Sequence, residues 1–319
     1  MPLQRLLRFR YSLRALLVFI TLFALWGGYH ANRGWKQRHS EQILLATREA
    51  SILYRDRWNR RNPLQAVAAT YAWVVDKLWG DRIVKSVSVK SDLPPDVAQA
   101  IGSFGHLESI ELFAPQMGGS NWRIVAVPSE ALEQSLAQRT VKDLYMRGYA
   151  LSDADCQAIA GGQSIEQLNL VRVRLSNQGL ARLLAAPRIR HVSIGSSEIT
   201  DREFPAHAGS PTLEWISIGA PISNNFGSFA ARCPKLTSLG VKGESVDDRF
   251  VMALGGHSAL EMLGLGSTSV SDQSVAIIAQ MPSLKAVALP RDTVSQQAIN
   301  NLQAARPDLR INYVSSDAE

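Results

Sequence analysis

Residues 259–284 read ALEMLGLGSTSVSDQSVAIIAQMPSL. Leu260, Leu263 and Leu265 form an L-x-x-L-x-L triplet whose last two members share one face of an extended strand, because strand side chains alternate with period two. Val270 is a second apolar anchor. Ser271-Asp272 follows it, and side chains of this kind accept from the free backbone N–H groups at a helix start. Val275 and Ile278 then sit at the i, i+3 spacing of one helix face, and Leu284 opens the next triplet. The stretch spells strand, turn and short helix, a unit too small to bury its apolar side alone.

The pattern recurs on both sides of this unit. Triplets begin at Val84, Leu107, Val141, Ile165, Ile189, Leu213, Leu236, Leu260 and Leu284, in steps of 23, 34, 24, 24, 24, 23, 24 and 24 residues, and a last strand is expected at Leu309. Anchors follow at Leu93, Val127, Leu151, Leu175, Ile199, Ile222, Val246, Val270 and Val294, each 14 residues before the next triplet except the last, at 15. Polar pairs such as Ser152-Asp153, Ser176-Asn177, Thr200-Asp201 and Asp247-Asp248 mark further helix starts, and Cys156/Ile159, Leu180/Leu183, Val251/Leu254 and Ile299/Leu302 mark helix faces. Stacked units bury one continuous core, so the expected fold is α/β, a solenoid with a curved parallel sheet inside and short helices outside. Nine units make a sheet about 43 Å long at strand spacing.

On these residues the chain resembles the leucine-rich-repeat family in its 24-residue, short-helix form, L-x-x-L-x-L-x-x-T-x-[IV]-[ST]-D, over roughly residues 81–314. Ser12-Leu13-Arg14-Ala15-Leu16-Leu17 also resembles the S-L-R-x-L-L anchor that precedes such repeats in bacterial single-span membrane proteins. The resemblance implies recognition of partners on the concave sheet rather than a reaction. The repeats also depart from the pattern: the turn position of Thr268 is Tyr149, Val173 or Asp292 elsewhere, and the unit 189–212 carries Pro205 and Gly209 where its helix should lie.

Ahead of the repeats, Ala15 to Asn32 contains no charged residue and reads ALLVFITLFALWGGYHAN. As a helix it covers about 27 Å, enough for a marginal transmembrane span, with Arg14 and Arg33 at its ends and Trp26, Tyr29 and Trp35 suited to an interface. No small-x-small site follows the apolar run, which favours an uncleaved anchor. The arginines before the span place the N-terminus in the cytoplasm and the repeats outside it, in a single-pass cell-membrane arrangement. The SILY run at 51–54 reads as a strand, residues 64–79 as a helix capping the solenoid, and Arg55–Arg61 as a solvated basic turn. The expected order is therefore a basic tail 1–14, a transmembrane helix 15–32, a juxtamembrane segment and cap 33–80, repeats 81–314 and a tail 315–319.

Charge supports that division. The chain carries 34 basic and 28 acidic residues, net +6, but residues 1–62 hold twelve basic against three acidic. The remainder, with 22 basic and 25 acidic residues, is a poor match for nucleic-acid phosphates, so no nucleic acid is expected as partner. The two cysteines, Cys156 and Cys233, fall three repeats apart, roughly 14 Å by strand spacing, too far for a disulfide. No phosphate-binding, dinucleotide, nucleophile-elbow or zinc-protease motif occurs. The six histidines are scattered over the anchor region and separate repeat phases, so neither enzyme nor metal nor cofactor is expected.

What the pattern offers is a surface. Positions two and four past each triplet start face the concave side, and among them Tyr145, His191, Trp215 and Met262 are the bulky or titratable anchors that interfaces draw on. The long second step places about ten extra residues within 113–126, in a loop that carries Trp122 and Arg123 beside Gly118-Gly119. The sequence thus points to a membrane-anchored interaction scaffold whose partners are a protein on the concave sheet and lipid at the N-terminal helix. The alternative is a ligand-sensing ectodomain that signals through a partner membrane protein, since the tail before the span is too short for an output domain.

Overall fold

The computed structural model describes residues 13–47, 50–54, 84–90, 93–104, 107–115, 124–127, 129–136, 141–162, 164–195, 198–199 and 209–314, with side chains from Val18 onward. The expected cap helix at 64–79, the basic turn Arg55–Arg61, Trp122, Arg123 and Pro205 lie outside the described residues.

Each apolar triplet becomes a strand lead-in and a strand. In chain order these are β2 (Val84–Val89), β3 (Ser109–Phe113), β5 (Asp143–Arg147), β7 (Gln167–Val171), β8 (His191–Gly195), β9 (Trp215–Gly219), β10 (Ser238–Val241), β11 (Met262–Gly264), β12 (Ala286–Pro290) and β13 (Arg310–Val314). They lie side by side, parallel and in sequence order. Pairing is in phase, so that Leu144, Leu168, Val192, Ile216, Leu239, Leu263, Val287 and Ile311 form one row. That row faces inward and is buried as far as Val287. A one-residue slip would turn every member outward, which is why the register holds over so many strands.

Short helices return the chain: α2 (Pro95–Gly102), α3 (Ser129–Leu136), α4 (Asp153–Gly161), α5 (Asn177–Leu184), α6 (Asn225–Ala230), α7 (Asp248–Leu254), α8 (Asp272–Ala279) and α9 (Gln296–Ala305). Ser152, Ser176, Asp247, Ser271 and Ser295 accept from first-turn N–H groups as their N-caps. The aspartate after the cap has a second task that crosses repeats. Ser271 donates to Asp248 from its N–H at 2.8 Å and its hydroxyl at 2.6 Å, and Ser274 donates there too. Asp272 receives both donors of Ser295 at 2.7 Å, and Asp153 receives the Ser176 hydroxyl at 2.5 Å. Three helix starts, those of α4, α7 and α8, are thereby tied to the next by a side chain 23 residues away.

The long loop of the second repeat leads into β4 (Val125–Ala126), which pairs parallel with β6 (Tyr149–Ala150), and single bridges carry this small ladder on through Arg174 to Glu198. Gly148 makes the corner between β5 and β6. Its φ of +82° and a clearance of 2.9 Å to the Ala114 Cβ exclude any side chain there. In the turns, Thr268 donates to Leu265 O at 2.7 Å within its own repeat, whereas Tyr149 and Val173 fill the equivalent place as buried apolar bulk.

At the N-terminal end, helix α1 (Leu13–Ala46) leads to β1 (Ala50–Tyr54), the SILY strand, which covers the edge of β2 in antiparallel register. The expected transmembrane helix over 15–32 is not recovered, and among the described residues no helix is long and apolar enough to cross a membrane. The reason is that α1 does not stop at Asn32. From His30 on, a stripe of His30, Gly34, Gln37, Ser40, Glu41 and Leu44 is buried, with the Ser40 hydroxyl 2.5 Å from that of Ser103 at the end of α2. Val18–Tyr29 is left with exposed apolar side chains.

Candidate functional site: the concave sheet

Because the core takes every second side chain, the concave face receives the others, and the in-phase register arranges them in three rows. The first, at the strand starts, runs Ser109, Asp143, Gln167, His191, Trp215, Ser238, Met262, Ala286 and Arg310. The second runs Glu111, Tyr145, Asn169, Ser193, Ser217, Gly240, Gly264, Ala288 and Asn312. The third pairs Phe113, Arg147, Val171, Gly195 and Gly219 at the strand ends.

Of the expected binding residues, His191 and Trp215 are register neighbours. Met262 lies two strands beyond Trp215 and is 48% exposed. Tyr145 stands in the second row three strands before Trp215, roughly 14 Å away at strand spacing. Trp122 and Arg123 cannot be placed among them. The sequence reading missed the third row, because five-residue strands present a position six past the triplet start to the same side. Phe113 and Arg147 belong there. The Phe113 ring packs 5.1 Å from Tyr145 and carries the Lys90 ammonium 6.0 Å above its face.

The face changes character along the array. From β8 to β12 the second and third rows carry Ser193, Gly195, Ser217, Gly219, Gly240, Gly264 and Ala288, so the backbone is bare and a trough of about 730 Å³ opens at the strand ends. Lys242 and Glu244 stand on its rim. Nothing within 4 Å would meet a side chain at Gly195. Outside the first row, the residues that precede β3 to β9 alternate in charge, Glu108, Lys142, Glu166, Arg190 and Glu214, and Lys142–Glu166, Arg190–Glu214 and Glu261–Lys285 pair at 3.8, 3.3 and 2.7 Å. All are exposed pairs, worth little singly.

Asp143 differs. Burial pushes its carboxyl above the ordinary value, Glu166 and Glu108 push it further, and Lys142 and His191 oppose them. Its Oδ1 is shielded from water without a hydrogen-bond partner, as is Nδ1 of His191. The two thiols lie in the core, where burial raises Cys156 to about 12 and Cys233 to about 11, so both stay protonated and unreactive. Among the described residues no three His, Cys, Asp or Glu side chains converge on a metal position.

No protein-family model matches the chain, and neither does any curated protein. Solved structures similar to it include two leucine-rich-repeat proteins of Listeria monocytogenes. The internalin InlF is 16% identical with a TM-score of 0.44 over 69% of this chain, and internalin C2 is 17% identical with a TM-score of 0.46 over 68%. The chain spans 64% of the length of the former and 84% of the latter.

Proposed function

We propose that this chain is a non-catalytic, membrane-attached scaffold that binds a protein partner on its concave sheet. The observation that carries the reading is the open face of ten parallel strands, on which Tyr145, His191, Trp215 and Met262 stand as separate anchors beside a bare trough. Interfaces take most of their energy from a few such aromatic, Met or Arg groups next to pockets. Site-specific photo-cross-linking tests it: a cross-linker at Met262 should capture a defined partner, and one at Met252, on the helix side and 63% exposed, should not. Equal capture from both positions would overturn the concave-face assignment.

Attachment is assigned to the apolar start of α1, where Phe19 and Leu25 are each 66% exposed and no protein covers them. Side chains of this kind gain about 1.5–3 kcal/mol each on leaving water. The arginines ahead of them favour a cytoplasmic N-terminus and an extracytoplasmic repeat domain. Leu22→Lys with Leu25→Lys should release the protein from membranes at alkaline pH; retention would sink the anchor. A reporter fused after Glu319 reads the side of the membrane.

A further inference from the structure

The partner's chemistry is legible at the N-terminal half of the concave face, an inference that rests on the binding role assigned to that face. Asp143 is the least compensated charge there. One of its oxygens is shielded and makes no hydrogen bond within the protein. The nearest cation, Lys142, is shared with Glu166 at 3.8 Å. Arg147 lies four residues further along the same strand, about 13 Å away, beyond the roughly 8 Å screening length of physiological salt. Glu108 and Glu166, on the lead-ins to the flanking strands, add negative potential at the same point. Immediately along the strand on the same face, Tyr145 presents an aromatic ring braced by Phe113 at 5.1 Å.

We propose that Asp143 and Tyr145 receive a cationic side chain, lysine or arginine, of the partner protein, whose neighbouring apolar side chains lie over Trp215 and in the bare trough beyond it. An ammonium or guanidinium donor would meet the exposed part of the Asp143 carboxylate and the potential of Glu108 and Glu166, and rest against the ring face. An acidic segment would face the carboxylates of Glu108, Asp143 and Glu166, with Lys142 already shared with Glu166. Gln167 and His191 are the next side chains of the first row and give the segment further hydrogen-bonding groups on its way to Trp215.

The test is panning of random twelve-residue displayed peptides on the full chain in detergent, in parallel on wild type, Asp143→Asn and Trp215→Ala. Asp143→Asn preserves shape and should melt at or above the wild-type temperature. The wild-type pool should be rich in lysine or arginine beside apolar residues, and that excess should vanish on Asp143→Asn. The best cationic peptide should bind Asp143→Asn about tenfold more weakly or worse, with a neutral apolar peptide unchanged. A neutral or acidic wild-type pool, or a cationic excess that persists on Asp143→Asn, overturns the proposal. If such a pool still depends on Trp215, the concave binding role survives alone. Peptides indifferent to both substitutions, or no enrichment at all, count against both readings.

Discussion

Asp248 shows what a single residue contributes in a stacked array. The sequence marks it as half of a helix-start pair, and the cap position beside it, Asp247, accepts from the Arg249 N–H at 2.8 Å. Its own carboxylate instead holds Ser271 and Ser274 of the next repeat. That role was recorded in the 23-residue separation between each such aspartate and the following serine, but it becomes legible only once the strands are known to pair in phase. Asp248→Ala should lower stability by about 2 kcal/mol, since charge-assisted bonds to buried donors are lost, as read by thermal unfolding.

The pH dependence follows from the same carboxylates. Burial tends to raise Asp248, but the bonds from Ser271 and Ser274 outweigh it and leave the group below the ordinary 3.8. Backbone and hydroxyl bonds from Ser295 lower Asp272. With folded values below unfolded ones, their stabilisation is full above 3.8 and is lost as pH falls through the folded values. Asp143, raised mainly by burial, runs the other way and is relieved by protonation. Unfolding free energy measured from neutral to strongly acidic pH should therefore drop at the acid end, and less steeply in Asp248→Ala. An unchanged acid limb in that variant would refute the assignment.

Among the elements, α1 departed most from expectation. The absence of charge from Ala15 to Asn32 suggested a boundary at Arg33, yet a helix is continued by its backbone bonds whatever the polarity of its surface. Arg33, Lys36 and Arg38 continue the same helix, and Lys36 and Arg38 point outward while Gln37 and Leu44 turn in. Leu44 is fully buried in the repeat core, so Leu44→Ala should cost about 2–5 kcal/mol and speed proteolysis between α1 and β1. Wild-type resistance would mean that the helix is only loosely docked. In the trough, Gly195 has open space where a side chain would project. Gly195→Val should leave the melting temperature unchanged or raise it slightly, since glycine in a strand costs roughly 0.5–1 kcal/mol, while reducing partner capture at Met262.

For the whole molecule, periodicity made the solenoid readable before any coordinates, because one unit's chemistry predicts the next. Its ends were not readable in that way, since an end is where repetition stops. At the C-terminal side Arg306 closes the helix layer by donating to Met281 O at 2.9 Å and Leu284 O at 2.8 Å, and the polar face of α9 does the rest. Among the described strands the layer ends on β13, which pairs with β12 alone and keeps Arg310 and Asn312 exposed. Hydrogen exchange should accordingly be slowest in β7 to β9 and fastest in β13; uniform protection would show that the array opens as one unit.

The in-phase rows make the concave face a ruler as well as a surface. Tyr145 and Met262 are held apart by a whole number of strands, so gaining or losing one 24-residue unit between them would alter their separation by one graduation, about 4.8 Å, and leave both side chains in their own surroundings. A partner that outgrew this face could be followed by duplication rather than redesign, and the same duplication made in the laboratory would measure how far apart the partner's own anchors are.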